Sequence, residues 1–347
     1  MRPAPRSARK VEAIEAMADQ VSVAVVGTGY FGRFHVEHYA RNPRAKLVAV
    51  VDTNEERARA VAAEFGAEPA FDYRSILGRV DAASVAVPTP LHYEIARDLI
   101  EAGIHVLVEK PITESVESAS TLTGLAEQRK VVLQVGHIER FSSAFRTLAK
   151  VIAQPLYFES YRISPWKNRG VEVDVILDLM IHDIDMIIGL VDSPVSKVDA
   201  VGTPVLGRRI DLANARINFE SGCIANVTAS RVSYKTERKM RVFGRNHYLS
   251  CDLGEGRISG YRLRGDPAVM GLAAIESESY EIEKQDSLAN EIDAFLDCVA
   301  TGTKPLVDGR AGCEALRVAS LINESIEEHL QKVQSHPSLS AVGTGER

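Results

Sequence analysis

At 347 residues, with 25% charged and 45% hydrophobic residues and a formal net charge of −6, the chain is long enough to bury a core in each of two domains. The acidic balance leaves no basic stripe to neutralise phosphates and excludes a nucleic-acid partner. The four cysteines, Cys223, Cys251, Cys298 and Cys313, lack CxxC spacing, so neither a disulfide framework nor a zinc site is indicated; reduced thiols in a cytoplasmic protein are expected.

Residues 1–18 read as a disordered tail. The first sixteen are basic and lack the apolar stretch of a secretory signal, and Met17 offers an alternative start. Alternating small and β-branched residues over 21–26 predict a strand that runs into Gly27-Thr28-Gly29-Tyr30-Phe31-Gly32, after which 31–39 can continue as a helix. In a strand-turn-helix unit the first glycine permits the turn, the second admits the pyrophosphate and the third lets helix and strand close up. Free N–H groups at the helix start then bind phosphate. A second strand over 46–51 ends in Asp52, where an acid would accept bonds from the adenosine ribose and repel a 2′-phosphate. The cofactor expected is NAD rather than NADP.

Further strands near 82–87, 104–108 and 131–135 alternate with helical stretches such as 54–65 and 92–102. That rhythm implies a parallel, doubly wound Rossmann sheet with ligands at the carboxyl ends of its strands. Pro88-Thr89-Pro90 and Glu109-Lys110-Pro111 fall at such ends and should line the nicotinamide side. Pro88 and Pro90 read equally as strand terminators, and His92 equally as a residue of a first helical turn.

After residue 150 the pattern becomes strands joined by turns, over 156–163, 195–205, 213–219, 223–230, 239–243 and 248–253, with Glu220-Ser221-Gly222 as one hairpin turn. A helix over 287–301 follows. The division expected is an NAD-binding domain over 19–140, an α+β substrate and oligomerisation domain over 141–332 on a mostly antiparallel open sheet, and a flexible tail over 333–347.

One helix interrupts those strands. In the run from Asp174 to Asp185, at about 100° per residue, Asp178, His182 and Asp185 share a face, and Leu177, Ile181, Ile184 and Ile188 form the adjacent apolar stripe. A carboxylate one turn from a histidine fixes its tautomer and raises its basicity, which suits a general base. The same spacing also fits a plain surface pair, or a metal site at Asp178, His182 and Asp185; no metal is expected, since Lys110 already supplies positive charge. The segment 175–191 is too interrupted by Asp178, His182, Asp183 and Asp185 to span a membrane.

The glycine fingerprint, Asp52, Glu109-Lys110-Pro111 and the Asp178-x-x-x-His182-Asp183-x-Asp185 pattern resemble the Gfo/Idh/MocA oxidoreductase family, over about residues 20–330. The resemblance implies a sugar, sugar-nucleotide or polyol substrate, with Lys110 and His182 flanking the reacting carbinol and Asp178 supporting the histidine or contacting a hydroxyl. It further implies Glu109 near the nicotinamide ribose and an open sheet face that supports a homodimer or homotetramer. Val173-Asp174-Val175 departs from the glycine-rich approach common in the family.

Gly136-His137-Ile138-Glu139-Arg140-Phe141, Arg162-Ile163-Ser164-Pro165-Trp166 with Arg169, and Leu177 to His182 are similar to the branch that oxidises the 3-hydroxyl of UDP-N-acetylglucosamine-type sugars, whose ketone feeds an aminotransferase making 3-amino sugars for lipid A or surface glycans. Arg140, Arg162 and Arg169 offer forked donors for a diphosphate and Trp166 a stacking face; each also reads as a structural arginine or core aromatic. Glu139, Ser164 and Asp185 complete the expected substrate contacts. Two other readings stand beside this one, a polyol dehydrogenase such as one acting on inositol and a non-catalytic NAD-binding sensor.

Overall fold

Runs of β-branched residues bounded by glycine and proline set the strands of the first half, and steric necessity sets the turns between them. The computed structural model describes residues 20–167, 173–283 and 285–335. The chain divides into two compact units: the first is built from residues up to Ile138 together with Asp286–Cys313, the second from Glu139–Gln285 together with residues from Glu314 onward. A single cut at residue 140 therefore omits the return of 286–313 to the first unit.

The first unit holds a six-stranded parallel sheet of order β3-β2-β1-β4-β5-β6, made of β1 (Val21–Val26), β2 (Ala45–Val51), β3 (Glu68–Ala70), β4 (Ala82–Val85), β5 (His105–Glu109) and β6 (Leu133–Gly136). Its strands are apolar on both faces, as burial on both sides requires. The helices Tyr30–Arg41, Glu55–Phe65 and Ser287–Thr301 contribute Val36, Tyr39, Val61, Ile292 and Phe295 to one core with Val23, Val25 and Val50. This is the doubly wound Rossmann arrangement, with its binding edge at the strand C-termini.

The second unit is an eight-stranded sheet of order β14-β13-β12-β11-β7-β10-β9-β8, antiparallel except for the β7–β10 pair. Its strands are β7 (Pro155–Ile163), β8 (Val195–Thr203), β9 (Leu212–Phe219), β10 (Ile224–Ser230), β11 (Glu237–Gly244), β12 (His247–Asp252), β13 (Arg257–Leu263) and β14 (Ile275–Glu281). Alternation decides the faces: Phe158, Ala215, Val227, Val242 and Leu249 point to a core covered by the helices Ser143–Val151, Ile181–Val191 and Gly309–Ser335. The opposite face carries a row of rings across four strands, Tyr157–Phe243 at 5.5 Å, Phe243–Tyr248 at 4.9 Å and Tyr248–Tyr261 at 6.4 Å between centroids.

Candidate active site

The glycine loop is shaped by contacts that only glycine survives. Gly27 has φ +89°, and a Cβ there would sit 2.5 Å from the Ala86 carbonyl oxygen; a Cβ on Gly32 would sit 1.8 Å from that of Gly27. Gly29 differs, since nothing lies within 4 Å of where its Cβ would be. That open space, just before the helix Tyr30–Arg41 and with no side-chain cap on the helix start, leaves room for a pyrophosphate to approach backbone N–H groups. The loop therefore fits a dinucleotide. Tyr30 and Phe31 are largely exposed in the first turn of that helix, edge to face with Phe34.

Asp52 ends β2 as expected, but its carboxylate already has protein partners. Oδ2 accepts from Thr28 N and Oγ1, both at 2.8 Å, and from Arg57 Nε at 2.9 Å; Oδ1 accepts from Asn54 N at 2.8 Å and Arg57 Nη2 at 2.7 Å. Burial pushes the carboxyl pKa up, but the bonds from Arg57, Asn54 and Thr28 outweigh it and bring the pKa down to about 2. The acid thus ties the glycine loop to β2, and its charge partner Arg57, which sequence reading did not single out, is itself half-exposed.

His92 is buried at the start of the helix His92–Glu101, with Nδ1 2.8 Å from the Pro111 carbonyl and Nε2 2.8 Å from that of Val87. It links the two loops that hold Val87 and Pro111, and both ring nitrogens of this expected cofactor contact are turned to protein carbonyls. Burial pushes its pKa down against the pull of the two carbonyls and Glu109, and a neutral ring donates to one carbonyl at a time. Thr89 lies in the 3₁₀ turn Thr89–Leu91, preceded by Pro88. Lys110 follows β5 and is half-buried; on its N-terminal side Glu109 bonds to His35, and on its C-terminal side Pro111 bonds to His92.

In the second unit, the run that carries Asp178 and His182 opens as a π turn over Ile176–Met180 before the α-helix Ile181–Val191. Ile181 N donates to Ile176 O, five residues back. The wider turn means that 100° spacing does not hold between Asp178 and His182, both of which are half-buried. Asp174 caps this start, accepting from Leu177 N at 2.8 Å and Asn323 Nδ2 at 3.1 Å. The segment before it is stapled by a buried pair absent from the sequence reading: Arg231 donates Nε to Asp211 at 2.8 Å and Nη1 to the Val173 carbonyl at 2.7 Å. Burial would raise the Asp211 pKa, but N–H groups of Gly207, Val205 and Leu206 and the Arg231 guanidinium bring it down to about 2.

Two of the expected diphosphate donors, Arg162 and Arg140, are turned inward. Arg162 gives Nε and Nη2 to Asp183 at 2.7 and 3.2 Å and Nη1 to Glu139 at 2.8 Å, and its side chain is 5% exposed. Arg140 gives Nη1 to the Asp185 carbonyl at 3.1 Å and carboxylate at 3.4 Å, lies over the Phe145 ring, and fills the space a Cβ on Gly189 would need. Glu139, Arg140, Arg162 and Asp185, expected as substrate contacts, are thus engaged in ion pairs within the protein, as charge in or near a core requires. Trp166 sits against Arg231 at 5.7 Å and Gly207, and Ser164 is tied by its backbone to Ser230 and Ser233. Arg169 lies outside the described residues. Among the described residues no three His, Cys, Asp or Glu side chains gather to hold a metal, and Cys223, Cys251 and Cys298 are buried thiols. No described helix is long and apolar enough to cross a membrane.

Residues 21–137 match the oxidoreductase family with NAD-binding Rossmann fold, and 144–250 match the GFO/IDH/MocA C-terminal domain. The chain is 37% identical over 309 residues to the UDP-N-acetylglucosamine 3-dehydrogenase of Acidithiobacillus ferrooxidans, covering 89% of this chain and 98% of that one. A solved structure of that enzyme superposes with a TM-score of 0.84 over 90% of this chain and 99% of its own. The scyllo-inositol 2-dehydrogenase of Bacillus subtilis is 28% identical over 318 residues, 84% of this chain and 90% of that one.

Proposed function

The chain belongs to the Gfo/Idh/MocA family of NAD-binding oxidoreductases, and from that premise we propose that it oxidises the 3-hydroxyl of UDP-N-acetylglucosamine or a related UDP-sugar to the ketone. The observation that carries the substrate is the 37% identity, over nearly both full chains, to a UDP-N-acetylglucosamine 3-dehydrogenase. Bound at the Gly27–Gly32 loop and Asp52, NAD supplies the acceptor for the hydride.

In this reading His182 takes the hydroxyl proton, and Asp178 stabilises the imidazolium that forms or contacts a neighbouring hydroxyl. Lys110 places its ammonium against the negative charge that grows on the substrate oxygen. Glu109 accepts from the nicotinamide ribose, and Trp166, Ser164 and Arg169 remain as candidate sugar contacts. The 3-keto product is suited to an aminotransferase, which exchanges a ketone oxygen for an amine. The aromatic row from Tyr157 to Tyr261 supports a homodimer or homotetramer through that face of the second sheet, and a cytoplasmic location belongs to the same reading.

The inositol dehydrogenase relative keeps a polyol substrate as the second reading. Incubation with NAD and UDP-N-acetylglucosamine, beside myo- and scyllo-inositol, decides between them. A UDP-sugar product lighter by two hydrogens in mass spectrometry is expected; turnover confined to the inositols would replace this substrate with the other.

A further inference from the structure

Glu109 ends a buried chain of hydrogen bonds that the scheme above does not use. His35, fully buried on the helix Tyr30–Arg41, holds Nε2 2.9 Å from Glu109 Oε1 and Nδ1 3.1 Å from Ser84 Oγ. Tyr39, four residues further along the same face, puts its hydroxyl 2.9 Å from the same Ser84 oxygen. From the other side, Gly136, paired with Glu109 across β5 and β6, makes the room: a Cβ there would lie 3.0 Å from Glu109 Cδ and Oε1.

With Glu109 ionised and the His35 ring neutral, the donors have one consistent order. An ionised Glu109 only accepts, so His35 Nε2 carries the hydrogen. A neutral ring then accepts at Nδ1 from the Ser84 hydroxyl, which in turn accepts from Tyr39. Burial pushes the Tyr39 phenol pKa up, which keeps it a donor. In that state every group in the series is satisfied with a single charge, on Glu109.

We propose that His35 is a positioning residue for the cofactor: it locks Glu109 in one rotamer, leaving the carboxylate's remaining acceptor sites fixed for a ribose hydroxyl of NAD. A free glutamate gives up rotamer freedom when a ligand pins it, whereas one already held loses little on binding. This rests on the reading that puts Glu109 at the nicotinamide ribose. Neither His35 nor Ser84 touches the ligand in this arrangement, so their effect passes entirely through Glu109.

Calorimetric titration of NAD into the wild type, His35→Leu, His35→Gln, Glu109→Ala and the double variant His35→Leu/Glu109→Ala tests it. We expect about tenfold weaker binding in His35→Leu, the size of one bond to a charged group. Most of the loss should return in His35→Gln, whose amide can still donate to Glu109. The double variant should bind no more weakly than Glu109→Ala alone. In turnover, the KM for NAD should rise with kcat within about threefold of wild type. Full binding by His35→Leu beside a weakened Glu109→Ala, or simple additivity of the two, overturns the positioning role. Full binding by Glu109→Ala instead removes the reading of Glu109, and the inference with it. If His35→Leu does not fold, Ser84→Ala takes its place: about threefold weaker binding that vanishes in the Glu109→Ala background is expected, and unchanged binding overturns the proposal.

Discussion

Arg57 lays two donors along Asp52, Nε 2.9 Å from Oδ2 and Nη2 2.7 Å from Oδ1, so the acid at the end of β2 is half of a neutral pair. Its carboxylate still stands where the adenosine ribose is expected, and by engaging Arg57 it keeps that guanidinium from a 2′-phosphate, which favours NAD. NAD should bind at least about tenfold more tightly than NADP. Arg57→Ala should widen that gap by baring the carboxylate, and Asp52→Ala should narrow it by freeing the guanidinium. Calorimetry with both cofactors measures this, and equal affinities in the wild type would reject Asp52 as the selector.

The same pair predicts an acid limb in stability. Asp52 titrates at about 2 in the folded chain, below the ordinary carboxylate value of 3.8, so its contribution is fully present above about pH 4 and is lost as pH falls toward 2. Asp52→Asn should flatten that part of the curve of unfolding free energy against pH. A variant curve parallel to the wild type between pH 4 and 2 would show that the pair carries no such weight.

Lys110→Met should remove most turnover and leave NAD binding nearly intact, because an ammonium that meets a developing negative charge acts mainly in the transition state. The rate should fall by on the order of 10² to 10⁴. Near-normal kcat in this variant would make Lys110 structural.

Arg162 separates packing from recognition. Replacing it with Leu leaves the buried Asp183 and the half-buried Glu139 without their shared cation, at a cost of about 3–5 kcal/mol. The urea midpoint should drop accordingly. Asp183→Asn, which removes charge from the same site, should also destabilise while leaving the KM for the sugar nucleotide within about threefold. A tenfold rise in that KM at unchanged stability would restore Arg162 and its partners to the substrate site.

What could be read from the sequence follows the range of the forces involved. The glycine loop was legible because its constraints are local and steric, at Gly27 and Gly32 above all. Strands such as β1, β7 and β10 announced themselves by composition. β14, whose residues alternate between charge and serine on a largely exposed edge, gave no apolar signal, and the proline in β3 argued against a strand. The site was harder. An arginine that reaches a diphosphate and one that neutralises Asp183 look alike in sequence; only the fold, which sets Arg162 against a helix 21 positions on, tells them apart. His35 and Glu109, 74 positions apart, meet only when the sheet forms. The π turn was invisible to a fixed 100° period.

That π turn bears directly on the pair expected to carry the proton. Asp178 lies within it and His182 just beyond, so their relation cannot be taken from ideal helix spacing and has to be settled by chemistry. If His182 is the base, kcat/KM rises with pH along an acidic limb that reports its free-enzyme titration. His182→Asn should then lose that limb together with most activity. Asp178→Asn should fold and keep a limb, but at a lower rate, since an amide can orient an imidazole without stabilising the imidazolium. An exposed ion pair would behave otherwise, contributing about 0.3–0.5 kcal/mol to stability and almost nothing to rate. The pH–rate profiles of the wild type and both variants on the preferred sugar therefore decide the matter. Unchanged profiles in both would reduce the turn and its helix to scaffolding and leave Lys110 as the group that must accept the proton.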